Sequence, residues 1–124
     1  MGLALNKLEC ATPGVSCLSG RFRPNSTSAV NNSYNQGSGF TVSRTSAGLF
    51  LVTLQVPCAA IIAVTPSLQL ATAANQHVQV SGAVSASAGT FSLLVYESGT
   101  GAADVASDAN NWVHFTVWIS NRSF

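Results

Sequence analysis

The segment Trp112 to Ile119 alternates without exception. Val113, Phe115, Val117 and Ile119 fall on one side, and Trp112, His114, Thr116 and Trp118 on the other. A period of two belongs to an extended strand. The first set is a core face as it stands. The second carries two tryptophans, which a solvent-facing side does not normally do. Such a ribbon has to be covered twice, once by its own core and once by another part of the chain or by another subunit. Tryptophan suits a subunit contact because it combines large area with a polar N–H. Trp112, His114 and Trp118 are therefore the candidate subunit-interface residues, with intrachain packing as the alternative.

The same period recurs upstream. Phe40, Val42 and Arg44 alternate with Thr41, Ser43 and Thr45, and Ser46-Ala47-Gly48 reads as a turn. Leu49 to Val56 is nearly continuous in apolar residues, the pattern of a strand covered on both faces, with Pro57 breaking the pairing. Ala59 to Val64 is a second apolar run, closed by Pro66. Val78, Val80 and Val84 alternate with His77, Gln79 and Ser81; Phe91, Leu93 and Val95 share a face within Thr90 to Tyr96; Gly99 to Asn111 reads as a long polar loop. The turn-rich stretch from 21 to 38 leaves room for a short strand around Ser28–Val30. Strands of this length separated by Gly/Ser/Asn turns, with no amphipathic helix between them, predict an all-β compact sandwich or jelly roll. Pro13-Gly14 marks a turn within residues 1–20, which read as an N-terminal arm; the alternative is a first edge strand of the domain formed by residues 21–124.

Charge narrows the function. Only 7% of the 124 residues are charged, against roughly 25% in an ordinary domain. A lone monomer kept soluble by charge does not look like this, so the surface is expected to be covered by Ser, Thr, Asn, Gln and Ala, or by other subunits. The net charge of +1 provides no electrostatic footprint for nucleic acid or an anionic membrane, and no apolar run reaches the ~18 residues of a membrane span. The N-terminus has no basic start before its apolar residues, and Lys7 and Glu9 interrupt them, so it does not read as a secretory signal. Asn6 stands where a myristoylation site wants Ser or Thr. Assembly in a cytoplasm follows as an expectation. It leaves the sequons at Asn25, Asn31 and Asn121 unread and the three cysteines, Cys10, Cys17 and Cys58, reduced. Cys58 reads as a small buried hydrophobe.

Gly39 to Leu54, with its Gly-Phe-Thr-Val-Ser-Arg-Thr run leading into Gly48-Leu49-Phe50-Leu51-Val52-Thr53-Leu54, resembles the opening of small β-domains common in tailed-phage head and tail proteins. The apolar strand that follows and the aromatic strand Trp112 to Asn121 extend the resemblance over roughly residues 37–121. The order of elements is similar to the trimeric jelly rolls of the tumour-necrosis-factor and complement-C1q type. That resemblance implies a homotrimer whose C-terminal strand lies in the sheet facing the threefold axis. It brings no catalytic motif and no cofactor, and residues 1–20 match no part of it.

The chemistry-bearing residues are sparse. His77 reads as a strand-surface residue and His114 as an interface residue with a hydrogen-bond partner. Asp104 and Asp108 share a loop, but a calcium loop supplies more oxygens than two. No nucleophile elbow, P-loop or dinucleotide fingerprint occurs, and no paired Cys-x-x-Cys zinc motif. No catalytic, cofactor or metal residues are assigned. Arg44 is expected to pair with a carboxylate such as Glu97, to cross a subunit boundary, or to stand exposed at a strand end. A short free-standing trimer suits a capsid decoration (cement) protein on the virion surface, bound to the major capsid protein, with Leu3, Leu5, Leu8, Arg21 and Arg23 as candidate shell contacts. The alternative is a tail- or head-fibre tip that binds a host glycan on an exposed aromatic, for which Tyr34, Tyr96 and Trp112 are the candidates.

Overall fold

The computed structural model describes residues 8–9, 15–55 and 58–120. They form an all-β fold of two antiparallel sheets. The strands are β1 (Leu8–Glu9), β2 (Val15–Phe22), β3 (Phe40–Ser46), β4 (Leu49–Leu54), β5 (Ala60–Gln69), β6 (Gln76–Ser85), β7 (Thr90–Glu97), β8 (Gly101–Ala102) and β9 (Trp112–Ser120). One sheet runs β1-β2-β9-β5; the other runs β3-β4-β7-β6, with β8 pairing the end of β7.

β9 is the centre of the first sheet. It pairs with β2 from Val113 to Ser120 on one side and with β5 from Trp112 to Ser120 on the other. Because its side chains alternate, Val113, Phe115, Val117 and Ile119 all turn inward and are buried, as the periodicity predicts. Phe91, Leu93 and Val95 meet them from β7, each wholly buried. Phe115 is the hub: its ring lies edge-on to Phe40 at 4.8 Å and to Phe91 at 5.5 Å, within the range where such pairs add to plain burial. Gly20 on β2 makes this possible, since a Cβ there would collide with the Phe40 ring.

Several sequence expectations are corrected. Residues 15–20 are not part of an arm; they open β2 and pair with β9 from Val15↔Ser120 onward. Their apolar residues Val15 and Leu18 are buried in the body. The expected strand at Ser28–Val30 is a bend, followed by a single 3₁₀ turn at Asn32–Tyr34. That segment covers the free edge of β3. The Asn32 amide donates to the Val42 carbonyl at 3.0 Å and its oxygen accepts the Val42 N–H at 2.8 Å, standing in for a neighbouring strand. The outward residues of β4 (Leu49, Leu51, Thr53) are only half-buried, so that strand is not covered on both faces. β5 does not stop at Pro66 but runs through it to Gln69. It is an edge strand, where the ladder can spare an N–H. Val84 leaves the Val78–Val80 face because β6 bulges between Ser81 and Ser85, and it stands 40% exposed. The polar loop from 99 to 111 contains the two-residue β8. The break expected at Pro57 lies outside the described residues.

Candidate functional site

Register places the candidate residues. Paired residues on neighbouring antiparallel strands share a face, so the outer face of the β2-β9-β5 sheet is a set of rungs. Cys17, Trp118 and Ala63 form one, Ser19, Thr116 and Thr65 the next, and Arg21, His114 and Ser67 the third. Trp112 lies beyond, opposite Gln69. The three interface candidates Trp112, His114 and Trp118 are thus on one face, as the periodicity requires.

Their surroundings differ sharply. Trp112 is only 7% exposed. The Arg21 guanidinium lies over its ring at 3.9 Å, Arg23 approaches it at 5.9 Å, and its Nε1–H donates to the Ala109 carbonyl at 2.9 Å. Its own chain encloses this indole, which is the intrachain alternative for that residue. Trp118, six residues along, is half-buried. Beside its rung β5 carries a bulge between Ile61 and Ala63, and the extra residue, Ile62, is 49% exposed. One end of the face is therefore apolar and open.

The middle is polar. Ser19 and Thr116 hydroxyls are 2.9 Å apart. His114 Nε2–H donates to Gln69 Oε1 at 2.8 Å. Burial, and then the nearby Arg21 charge, push the His114 pKa down, so the ring is neutral at neutral pH. The floor of this region is a shallow groove of ≈ 530 Å³ lined by hydroxyls, Arg21, Gln36 and His114. Among the described residues the hydrogen-bond partner of the His114 ring is Gln69, and the Ser19 and Thr116 hydroxyls bond to each other.

The shell-contact candidates divide. Leu3 and Leu5 lie outside the described residues, and Leu8 sits in β1, paired with Cys17. Arg21 and Arg23 are not on a separate surface: Arg21 belongs to the His114 rung, and both cations pack on Trp112. Arg21 is further fixed by Gln36, through a two-way backbone bridge and an Nε–H bond to Oε1 at 2.8 Å. Arg23 continues the stack onto Tyr34 at 4.4 Å. This ladder of Arg21, Trp112, Arg23 and Tyr34 was invisible in the sequence, because it depends on where β2 and the 3₁₀ turn meet β9. The only hint was the Arg-x-Arg spacing, which puts two cations on one side of an extended chain.

Arg44 pairs with Asp104 rather than Glu97, through Nε to Oδ1 at 3.0 Å and Nη2 to Oδ2 at 2.9 Å. Asp108 accepts the Asn110 N–H at 2.8 Å, a local turn contact. Among the described residues no three His, Cys, Asp or Glu side chains converge as a metal ion requires. His77 is exposed and lies beside Tyr96, ring centroids 5.5 Å apart. Cys58 is half-buried against the core, and burial pushes its thiol pKa up. Comparison with protein-family models, with curated proteins and with solved structures finds no match to this chain.

Proposed function

We propose that this chain is a non-enzymatic structural module that assembles as a homotrimer through the outer face of its β2-β9-β5 sheet. We further propose that it serves as a tailed-phage capsid decoration protein, bound to the major capsid protein on the virion surface. One observation carries the reading. One end of that face carries Trp118, half-buried on the central strand, and β5 presents the exposed bulge residue Ile62 next to its rung, in a chain with 7% charged residues. Apolar side chains left uncovered on a sheet face fit an interaction site, and tryptophan is among the residues enriched at the energetic centres of interfaces. The resemblance to trimeric jelly rolls adds the symmetry. The described chain passes four times between the two sheets, and its last described strand sits inside a sheet rather than at an edge. Decoration of a shell needs many copies with modest contacts each, stability arising from multivalency.

Light scattering across a concentration series tests the assembly: three chain masses support it, and a single chain mass at high concentration rejects it. Copy number on purified particles tests the role. Hundreds of copies per capsid support decoration, whereas a few copies at the tail or a vertex support the fibre-tip alternative. That alternative draws on the exposure of Tyr34, at 51% the most exposed large hydrophobic side chain among the described residues.

A further inference from the structure

The far end of the same sheet carries a second feature, separate from the Trp118 rung. Trp112 and Trp118 are six residues apart on β9, which an extended strand spans in about 20 Å. Beyond Trp112, where β2 ends, a pocket of ≈ 290 Å³ is lined by Arg23, Pro24, Asn25, Asn31, Tyr34 and Ser107. We propose that this pocket binds an acidic sugar residue, with Arg23 taking its carboxylate and Tyr34 its ring.

The pocket is built from two loops pinned to each other. Pro24 is fully buried. Ser26 holds a positive φ of 51°, unusual for a residue with a side chain. Its N–H donates to the Val105 carbonyl at 3.0 Å, and its Oγ accepts the Ser107 N–H at 3.2 Å. Asn25 Nδ2 donates to the Ala29 carbonyl, and Asn31 Oδ1 accepts from the Ser33 N–H and hydroxyl. A strained residue held by contacts from another loop is the form that a pre-shaped site takes.

The same bonds decide which groups remain for a ligand. Asn25 keeps its Oδ1 and Asn31 its Nδ2 without a partner among the described residues, as does the Ser107 hydroxyl. Arg23 has stacking partners, Tyr34 at 4.4 Å and Trp112 at 5.9 Å, but no ion pair among the described residues. The stack holds its fork in place while leaving its N–H donors unspent, and a planar fork of that kind matches a carboxylate. Amide and hydroxyl groups beside a half-exposed aromatic ring match the mixed hydroxyl and C–H faces of a pyranose. The volume is near the lower limit for small-molecule sites, the size of one sugar ring rather than a chain. An acidic peptide would place its carboxylate without using the ring or the acceptor Asn25.

The proposal stands whether or not the chain is a trimer. ¹⁵N-correlation spectra of the intact protein, titrated with sodium glucuronate and with the methyl glycoside of N-acetylneuraminic acid, test it. Saturable shifts centred on residues 23–34 and 107 are expected, with glucose at least about tenfold weaker. Arg23→Gln and Tyr34→Ala should each weaken binding by roughly tenfold while leaving the rest of the spectrum, and hence the fold, unchanged. Several results overturn the proposal: no saturable shift with either acid, glucose binding as tightly as glucuronate, acetate or a glutamate-rich peptide binding as tightly as the sugars, or unchanged affinity in both variants.

Discussion

Arg44 and Asp104 lie 60 residues apart in sequence, yet their side chains meet fork to fork, at 3.0 and 2.9 Å. Asp104 Oδ1 also accepts the Gly48 N–H at 3.0 Å. One carboxylate thus joins the end of β3, the turn into β4, and the loop that leads to β9. The Gly48 carbonyl in turn accepts the Val95 N–H at 2.8 Å. Bidentate geometry makes this pair stronger than a typical surface ion pair, although solvent still reaches both groups.

That arrangement has a pH signature. Arg44, and secondarily the Gly48 N–H, hold the Asp104 carboxyl below its ordinary value against a smaller opposing effect of burial. A carboxylate with a depressed folded-state pKa contributes stability that is complete above its unfolded pKa, about 3.9, and is lost as pH falls through the lower folded value. Asp104→Asn should therefore lower the melting temperature at pH 7, and its gap to the parent protein should close as pH drops below about 3.9. Melting curves at pH 7, 4 and 2.5 measure this. An equal gap at all three would mean that the pair contributes nothing through its charge.

Gly48 is strained for any other residue. Its φ is +67°, and an added Cβ would meet the Val95 and Ala103 carbonyl oxygens. Gly99 shares the left-handed conformation, with φ +84°, but an added Cβ meets nothing. Gly99→Ala should cost about 1 kcal/mol from backbone conformation alone. Gly48→Ala should cost roughly 3 kcal/mol, because contact with immovable backbone adds to the same strain. Urea midpoints of the two variants separate the terms, and equal losses would contradict the packing around Gly48.

The contrast between β9 and β5 shows how much of this was readable. β9 is central and strictly alternating, so its inward and outward faces followed from periodicity alone. β5 and β6 carry bulges, at Ile62 and between Ser81 and Ser85, and a bulge resets which face the following residues take. No local pattern announces one, which is why Val84 was misplaced. For Arg44 a carboxylate partner was one of three open readings, and both that outcome and the choice of Asp104 over Glu97 depend on how the loop from 99 to 111 folds back. The cation–indole ladder is a third case: each member was noted separately, and only register joins them. Pairing across sequence distance is the information that a single chain's periodicity lacks.

His114 supplies a second pH signature, of opposite chemical origin. Arg21 and Ser67 flank it on its rung, Trp112 and Thr116 lie along its own strand, and it donates to Gln69. None of these is a carboxylate, so protonation would place a cation beside Arg21. The folded pKa is lowered by burial first and by Arg21 second. The unfolded chain then binds more protons than the folded one below about pH 6.5, so stability is full above that value and declines as pH falls toward the folded pKa. His114→Gln should flatten the stability profile below about pH 6.5. If the sheet face is also the trimer contact, the parent trimer should loosen over the same window while the variant does not. A profile identical in both proteins would remove His114 from either role.

The two tryptophans of β9 should respond oppositely to truncation, and this separates fold from assembly. Trp112 is enclosed by Arg21, Arg23 and the Ala109 carbonyl, so Trp112→Ala leaves a cavity and two cations without their stacking partner. A loss of about 3–5 kcal/mol is expected, read as a lower denaturation midpoint at fixed protein concentration. Trp118 stands half-buried on the rung of Cys17 and Ala63. Trp118→Ala should leave the isolated subunit folded, with a loss nearer to about 1 kcal/mol, but should shift light-scattering mass from three chains toward one. The discriminating quantity is concentration dependence: the Trp118 variant's midpoint should stop rising with protein concentration, as it does for any chain stabilised by its own association. Were Trp118→Ala to unfold the subunit as severely as Trp112→Ala while mass stayed unchanged, the second indole would be as internal as the first, and the outer face would have no claim to a partner.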